Sequence, residues 1–450
     1  RVLLTEAERV ARFGFTPGEL ERAKVNVRTA VDRALAERDN TPAASIANEL
    51  VRHVTVDEPV PGIEYEHALY ARFLPEITLD EVNTLAKSWV PDGNRVITVS
   101  APQKAGFTVP TETRLAEVVT AAMAGKEITA YVDKVADAPL LDPLPSPGTI
   151  VRTTTRDEYG ITEWELSNGI KVVLKPTDFR EDEILFRGSS YGGTSLAPDS
   201  EYVPASSASA VVSMGGLGAF STVDLRKKLT GNTATANASI GAYEEVVSGS
   251  TSKKDLETMF QLIHLRFTQP RADPTAFQVL QGNMKTSLPQ QRSNPAFLFS
   301  EALTSALRGN HPRTRPITVE TVDQLDLQKS MAFYKDRFGD AGDFTFVFVG
   351  SFDPVAMKPL VERYLASLPS TGREESWKDV GIRYARGVIE RRVEKGVEPQ
   401  SRAAIVFTGD FEHDQASRIA IRAMGEVLQT RLHEALREDL GGTYGVSTGA

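Results

Sequence analysis

The sequence contains no cysteine. That removes disulfides, thiolate zinc sites and cysteine nucleophiles together, so any metal would have to be held by His, Asp or Glu. Histidine is scarce too, with six in 450 residues. A cysteine-free chain tolerates an oxidising compartment and a reducing one alike, so the compartment stays open. Basic clusters are missing: 51 Lys and Arg stand against 60 Asp and Glu, a net charge of −9. Without a basic footprint to neutralise phosphates, nucleic acid is not an expected partner. No apolar run approaches the roughly 18–20 residues that span a bilayer. The start, Arg1-Val2-Leu3-Leu4-Thr5-Glu6, has neither a methionine nor the apolar segment of a signal peptide, and the expectation is a soluble piece of a longer protein.

What is present is ordinary globular composition, with 41% hydrophobic, 25% charged and 8% aromatic residues. Such a chain can bury a sizeable core, and its length predicts three or so folding units of about 100–200 residues each.

Thr16-Pro17-Gly18-Glu19 carries a Thr cap, Pro at the first helical position and an acid in the first turn, predicting a long helix to about Glu37. A second helix is predicted over Thr41–His53. Thr78 with Glu81 three residues on forms a capping box that opens a third, ending before Pro91. Arg95–Ser100 is β-branched and bounded by turn residues, so it reads as a strand. The same order recurs about 240 residues later. Asp273-Pro274 opens a helix, Ile317-Thr318 repeats the capped start at Ile77, and Phe344–Gly350 stands where the first strand stood. Two copies of one α/β unit are the simplest account.

Between the copies, Ala136–Gly148 has four prolines in thirteen residues and reads as an extended linker. Thr162–Leu174 then alternates apolar and polar residues around Asn168-Gly169, a hairpin signal because both turn residues accept positive φ. Strands are also predicted at Glu183–Phe186 and Arg402–Thr408, and helices at Lys253–Phe267, Asp353–Leu368 and Asp414–Glu438.

Gly188-Ser189-Ser190-Tyr191-Gly192 matches the G-x-S-x-G nucleophile pattern, which needs a helix to follow at once. A loop, Gly193–Pro198, follows instead, so a glycine-rich turn is the reading. Gly215-Gly216-Leu217-Gly218 falls short of G-x-G-x-x-G and reads as a helix end. The histidines, His53, His67, His264, His311, His413 and His433, are all at least fourteen residues apart, too far for a pair on one helix face. Glu66-His67 and Glu412-His413 each end an H-x-x-E-H without its first histidine, and His433-Glu434 opens an H-E-x-x-H whose last position is Arg437. Arg437 falls at a predicted helix C-terminus that Gly441-Gly442 break, and Tyr444 opens an extended segment seven residues on. Their polar tips can face one cavity. The plainer alternatives are a dipole partner for Arg437 and a half-buried strand residue for Tyr444.

Together these segments, with Tyr191-Gly192-Gly193-Thr194-Ser195-Leu196 and Pro399-Gln400-Ser401-Arg402, resemble the second half of an M16 (pitrilysin/insulinase-type) zinc metallopeptidase. The resemblance covers nearly all 450 residues and is nearest to two-half bacterial zinc proteases. It implies an α+β fold of repeated LuxS/mitochondrial-processing-peptidase-like metallohydrolase domains, each an antiparallel sheet covered by helices, in halves that close as a clamshell. The implied division is 1–125 as the C-terminal part of a second domain, 126–155 as the linker between halves, 156–375 as a third domain homologous to the zinc domain, and 376–450 as the start of a fourth.

In this family the first half binds zinc through H-x-x-E-H and a distal glutamate, and the motif's glutamate activates the metal-bound water. The corresponding helix here, Glu201–Val211, has small residues at the ligand positions. The resemblance therefore implies no catalytic and no metal residue in this segment, which alone is inactive, with zinc in the missing first half. It implies substrate-backbone binding by Arg437 and Tyr444, since a guanidinium and a phenol aimed at a peptide carbonyl orient the chain and stabilise developing negative charge. The implied partners are a peptide or unfolded protein and the N-terminal half of the same protein, in a bacterial periplasmic or secreted setting. The alternative is a non-catalytic scaffold or peptide-binding subunit of the same superfamily.

Overall fold

The computed structural model describes residues 1–89, 96–99, 106, 108–125, 127–134, 138–443 and 445–449. They divide into two units, residues 1–288 with 317–380, and residues 289–316 with 381–450.

The first unit opens with six helices: α1 (Val2–Phe13), α2 (Pro17–Ala36), α3 (Ala43–Val56), α4 (Ile63–Phe73), α5 (Leu79–Ser88) and α6 (Glu112–Met123). The predicted capping boxes form at Thr16/Glu19 and Thr78/Glu81, each Thr hydroxyl accepting the Glu backbone N–H while the Glu carboxylate accepts the Thr N–H. Val96–Val99, inside the predicted first strand, take no regular structure, and Arg95 and Ser100 lie outside the described residues.

A seven-stranded sheet follows, in the order β1 (Ile150–Arg156), β2 (Ile161–Leu166), β3 (Lys171–Pro176), β7 (Thr345–Gly350), β4 (Ile184–Tyr191), β6 (Glu244–Thr251), β5 (Asn237–Ile240). The Asn168-Gly169 hairpin joins β2 to β3, with Gly169 at φ +94°. β1, within the stretch expected to be linker, is the edge strand against β2. The sheet is antiparallel except for β3 and β7, which run parallel. A parallel pair needs a crossover rather than a turn, and here the intervening chain supplies the rest of the domain.

Those connections are α7 (Tyr202–Gly215), α8 (Thr222–Lys228), α9 (Leu256–Thr268), α10 (Pro274–Gln291), α12 (Val319–Asp323) and α13 (Leu327–Phe338), and α14 (Pro354–Leu360) follows β7. α11 (Pro295–Leu307) and α15 (Gln415–His433) belong to the second unit. Pro359 lies inside α14 and cannot donate to the helix ladder, and the next turn, Val361–Leu365, widens to a π-helix.

The core lies where α9 and α13 meet one sheet face. On β7, Phe346 and Phe348 point inward at alternate positions, with Val172, Leu174, Phe186 and Val247 from the neighbouring strands. Phe348 stacks on Phe186 at 5.8 Å and on Phe260 at 5.4 Å between ring centroids. Gly188 of β4 passes beneath Phe346, where a Cβ would stand 2.6 Å from the ring. The opposite face carries charged pairs such as Arg187 with Glu244 at 2.8 Å, the period-2 alternation of a sheet with one wet side.

In the second unit, residues 381–413 form no helix or strand, so the strand predicted at Arg402–Thr408 is absent. A strand needs a hydrogen-bonding neighbour, and the described residues of this unit include none. The predicted final helix forms as α15 and continues as a π-helix over Glu434–Asp439.

Candidate functional site

α7 spans the helix expected, from the resemblance, to correspond to a zinc-binding one. Three of its four serines, Ser206, Ser207 and Ser209, are engaged locally. Ser206 and Ser207 each donate to a carbonyl of the preceding turn at 2.9 Å, Ser330 of α13 donates to the Pro204 carbonyl at 2.9 Å, and Ser209 accepts the Ile240 N–H of edge strand β5 at 2.7 Å. These serines brace the helix between α13 and the sheet edge, a packing role that leaves hydroxyls rather than metal ligands.

The histidines are dispersed. His264 is buried and its Nδ1 meets the Tyr364 carbonyl at 3.0 Å; burial lowers its pKa despite that bond. His67 pairs with Asp32 at 2.8 Å, and His53 meets the Glu58 carbonyl at 2.7 Å. Among the described residues no three His, Asp or Glu side chains converge in a way that could hold a metal ion.

Arg437 lies in the last helical turn of the second unit, exposed, with its Nη1 3.1 Å from Nε2 of His433 one turn earlier. The helix closes behind it: Gly441 adopts φ +58°, its N–H donating to the Arg437 carbonyl, while the Gly442 N–H donates to Leu436. Tyr444 lies outside the described residues.

A cluster that sequence reasoning missed sits in the first unit, at the end of β4 where the chain turns into α7. Glu245 of β6 is 1% exposed and accepts the Gly193 N–H at 2.7 Å. Burial pushes its carboxyl up to about 7, outweighing that hydrogen bond and the Arg337 guanidinium 3.9 Å away, which favour the charged form. Arg337, itself 4% exposed, is held by Glu375 at 2.7 Å and by the neighbouring Asp336. Asp340 accepts N–H groups from Gly342, Thr371 and Arg373 at 2.9–3.2 Å and the Thr371 hydroxyl. Burial alone would raise the Asp340 carboxyl, but these bonds win and hold it at about 2.

These groups fasten residues 370–378, a stretch without regular structure, onto the sheet. Lys378 N–H donates to the Ser195 hydroxyl at 2.9 Å, and Trp377 packs edge-on against Tyr243. The sequence held one signal for this cluster: Glu245 shares its strand face with Val247, so the strand's period places a carboxylate inside.

Comparison with known proteins fits this geometry. Residues 324–450 match the model of the Peptidase M16 inactive domain. The whole chain is 26% identical to a zinc protease PQQL-like protein of Arabidopsis thaliana, over 97% of this chain and 44% of that protein. It is 24% identical to a probable zinc protease PqqL of Haemophilus influenzae, over 98% of this chain and 47% of that one. These likenesses support the resemblance to the second half of an M16 peptidase. The chain's fold matches the periplasmic protease PqqL from Escherichia coli, with a TM-score of 0.59 at 20% identity over 99% of this chain and 49% of that one. The ferredoxin protease FusC, solved as a point mutant in complex with Arabidopsis ferredoxin, shares the fold with a TM-score of 0.51 at 17% identity, over 84% of this chain and 42% of that one. The chain spans a little under half the length of the curated relatives it matches. Among its described residues no helix is long and apolar enough to cross a membrane.

Proposed function

We propose that this chain is the non-zinc-binding second half of a zinc metalloendopeptidase that cuts peptides or unfolded proteins in a closed chamber. The observation that carries this is likeness along nearly the whole chain to proteins named as zinc proteases and about twice as long. On this reading the zinc and the general base reside in a first half, and this half supplies chamber wall. The domain division proposed is 1–125, 126–155, 156–375 and 376–450 as given above. The uncovered stripe Ile46, Leu50 and Val54 along α3, exposed by 47%, 51% and 82%, supports assigning 1–125 to a domain completed by chain outside this segment. A periplasmic setting follows the description of the Escherichia coli PqqL.

Arg437 and Tyr444 are the residues proposed to hold substrate backbone. Arg437 is suited to this by exposure and by its lack of a carboxylate partner among the described residues, which leaves its planar donors for a peptide carbonyl. Arg437→Ala or Tyr444→Phe in the full-length enzyme is expected to lower kcat/KM for a quenched fluorescent peptide by about 10- to 100-fold, with zinc content unchanged. Wild-type turnover in both variants would refute the assignment. A full-length wild-type protein that binds peptide without cutting it would replace the enzyme reading with the scaffold one.

A further inference from the structure

A cleft of about 420 Å³ opens between α2 and the turn that leaves α8, lined by Arg22 and Asn26 on one side and Arg226, Lys227, Leu229 and Thr230 on the other. Its walls are pinned. Gly231, at φ +73°, presses on α2 so closely that a Cβ would stand 2.2 Å from Val25. The Gly231 N–H donates to the Asn26 side-chain carbonyl at 3.0 Å, and its own carbonyl accepts from Thr29 at 3.3 Å and Lys254 at 3.4 Å. Asp133 draws Arg22 and Lys227 together, at 2.8 Å and 2.9 Å, so the two cations are spent on one carboxylate and on shaping the rim.

Arg226 is different. It is exposed, and its guanidinium has no ion-pair or hydrogen-bond partner among the described residues. The Asn26 side-chain amide, whose oxygen accepts the Gly231 N–H, lines the same space. Three cations against one carboxylate leave the rim positive in a chain of net charge −9. The floor is Leu229, which packs against the hydrophobic core. An unpaired planar cation, a side-chain amide and an apolar floor, held in a preset shape, suit a carboxylate on an aliphatic or main-chain stem.

We propose that this cleft binds a carboxylate of an extended polypeptide, whether an acidic side chain or a free C-terminus, with Arg226 as its principal contact. The inference deepens the peptide-handling reading above and rests on it for its biological sense. Its test is binding to this 450-residue chain alone, so that a failure of cleavage in the full-length protein and a failure of the cleft are separate results.

Three dye-labelled peptides of about nine Gly and Ser residues serve as probes by fluorescence anisotropy: one with two central glutamates and an amidated C-terminus, one neutral with a free C-terminus, and one neutral and amidated. Binding of a carboxylate peptide is expected to weaken at least about fivefold in Arg226→Glu, and likewise when salt rises from about 0.05 to 0.5 M. The neutral amidated peptide is expected to bind no better in the wild type than in the variant. Tight binding by the glutamate peptide assigns a side-chain carboxylate, and by the free C-terminus a main-chain one. Unchanged affinity of both carboxylate peptides in Arg226→Glu, with its circular dichroism intact, overturns the proposal. Should that variant lose its fold, Arg226→Gln gives the same decision, because it removes the charge and keeps the stem.

Discussion

Glu245→Gln tests whether a buried carboxylate makes the sheet unit pH-dependent. Glu245 is 1% exposed, and burial lifts its carboxyl from an ordinary 4.5 to about 7. Below pH 4.5 the group is protonated in folded and unfolded chains alike. Between 4.5 and 7 the folded protein keeps a proton that the unfolded chain has released, so stability falls as pH rises through that window. The loss totals about 3 kcal/mol at 1.36 kcal/mol per pH unit. Glutamine cannot ionise, and its side-chain oxygen still accepts the Gly193 N–H. Placing an amide beside Arg337 has a cost of its own, but Arg337 keeps Glu375 and Asp336, and that cost is the same at every pH. The informative quantity is therefore the change in the variant's relative stability between about pH 4.5 and pH 8, expected to be about 3 kcal/mol in the variant's favour. Asp343, which burial also raises and whose charge adds to the rise at Glu245, is present in both proteins. Urea unfolding followed by tryptophan fluorescence measures this, since Trp164 is buried in the same unit. A pH-independent difference, or a variant that loses ground at the alkaline end, would show that Glu245 stays ionised against Arg337 and refute the reasoning.

Asp340→Asn is expected to destabilise the same unit at neutral pH by about 1–3 kcal/mol, because an amide cannot accept as many of the N–H and hydroxyl donors around it. The deficit should shrink as pH falls from 3.8 to about 2, the window in which the unfolded chain takes up a proton that the folded carboxylate refuses. Gly188→Ala places a methyl carbon 2.6 Å from the Phe346 ring, and overpacking there is expected to cost about 1–3 kcal/mol, read from urea unfolding. Phe348→Ala removes a ring stacked on both Phe186 and Phe260 and is expected to cost about 3–5 kcal/mol, read in the same experiment.

Local signals in the sequence located local structure. The boxes at Thr16 and Thr78, the cap at Thr318 and the Asn168-Gly169 turn each act within four residues, so the chemistry that forms them is visible in the chain. Strand order was not visible. β7 lies between β3 and β4, and nothing in Phe344–Gly350 says which of the earlier strands flank it, because that choice is made by packing over a long sequence separation. The strand misread at Arg402–Thr408 has the same origin, since β-branched residues favour a strand only where a partner edge exists. Arg437 was placed at a helix end by the glycines behind it, whereas Arg337 and Glu245 were not singled out, because a charged residue reads as exposed until the fold buries it.

The G-x-S-x-G segment shows how a catalytic pattern can arise from architecture alone. Gly188 is needed because Phe346 occupies the space where a Cβ would be, and Gly192 because its φ of +147° disfavours any side chain. Gly193, at φ +57°, lies under the Gly241 carbonyl, where a Cβ would come within 2.6 Å, and so delivers its N–H to Glu245. Ser190, at the nucleophile position, is 5% exposed within β4, the reverse of a hydroxyl raised on a strained turn toward substrate. Every glycine in the pattern thus answers to a neighbour, and the turn holds the buried carboxylate beside Arg337 and the 370–378 stretch. The same turn leads directly into α7, whose serines tie it to β5 and α13. In this half of the fold, then, the strand-to-helix passage is occupied by packing and internal hydrogen bonds. The substrate contacts proposed above lie instead on exposed polar surface, at Arg437 and in the Arg226 cleft.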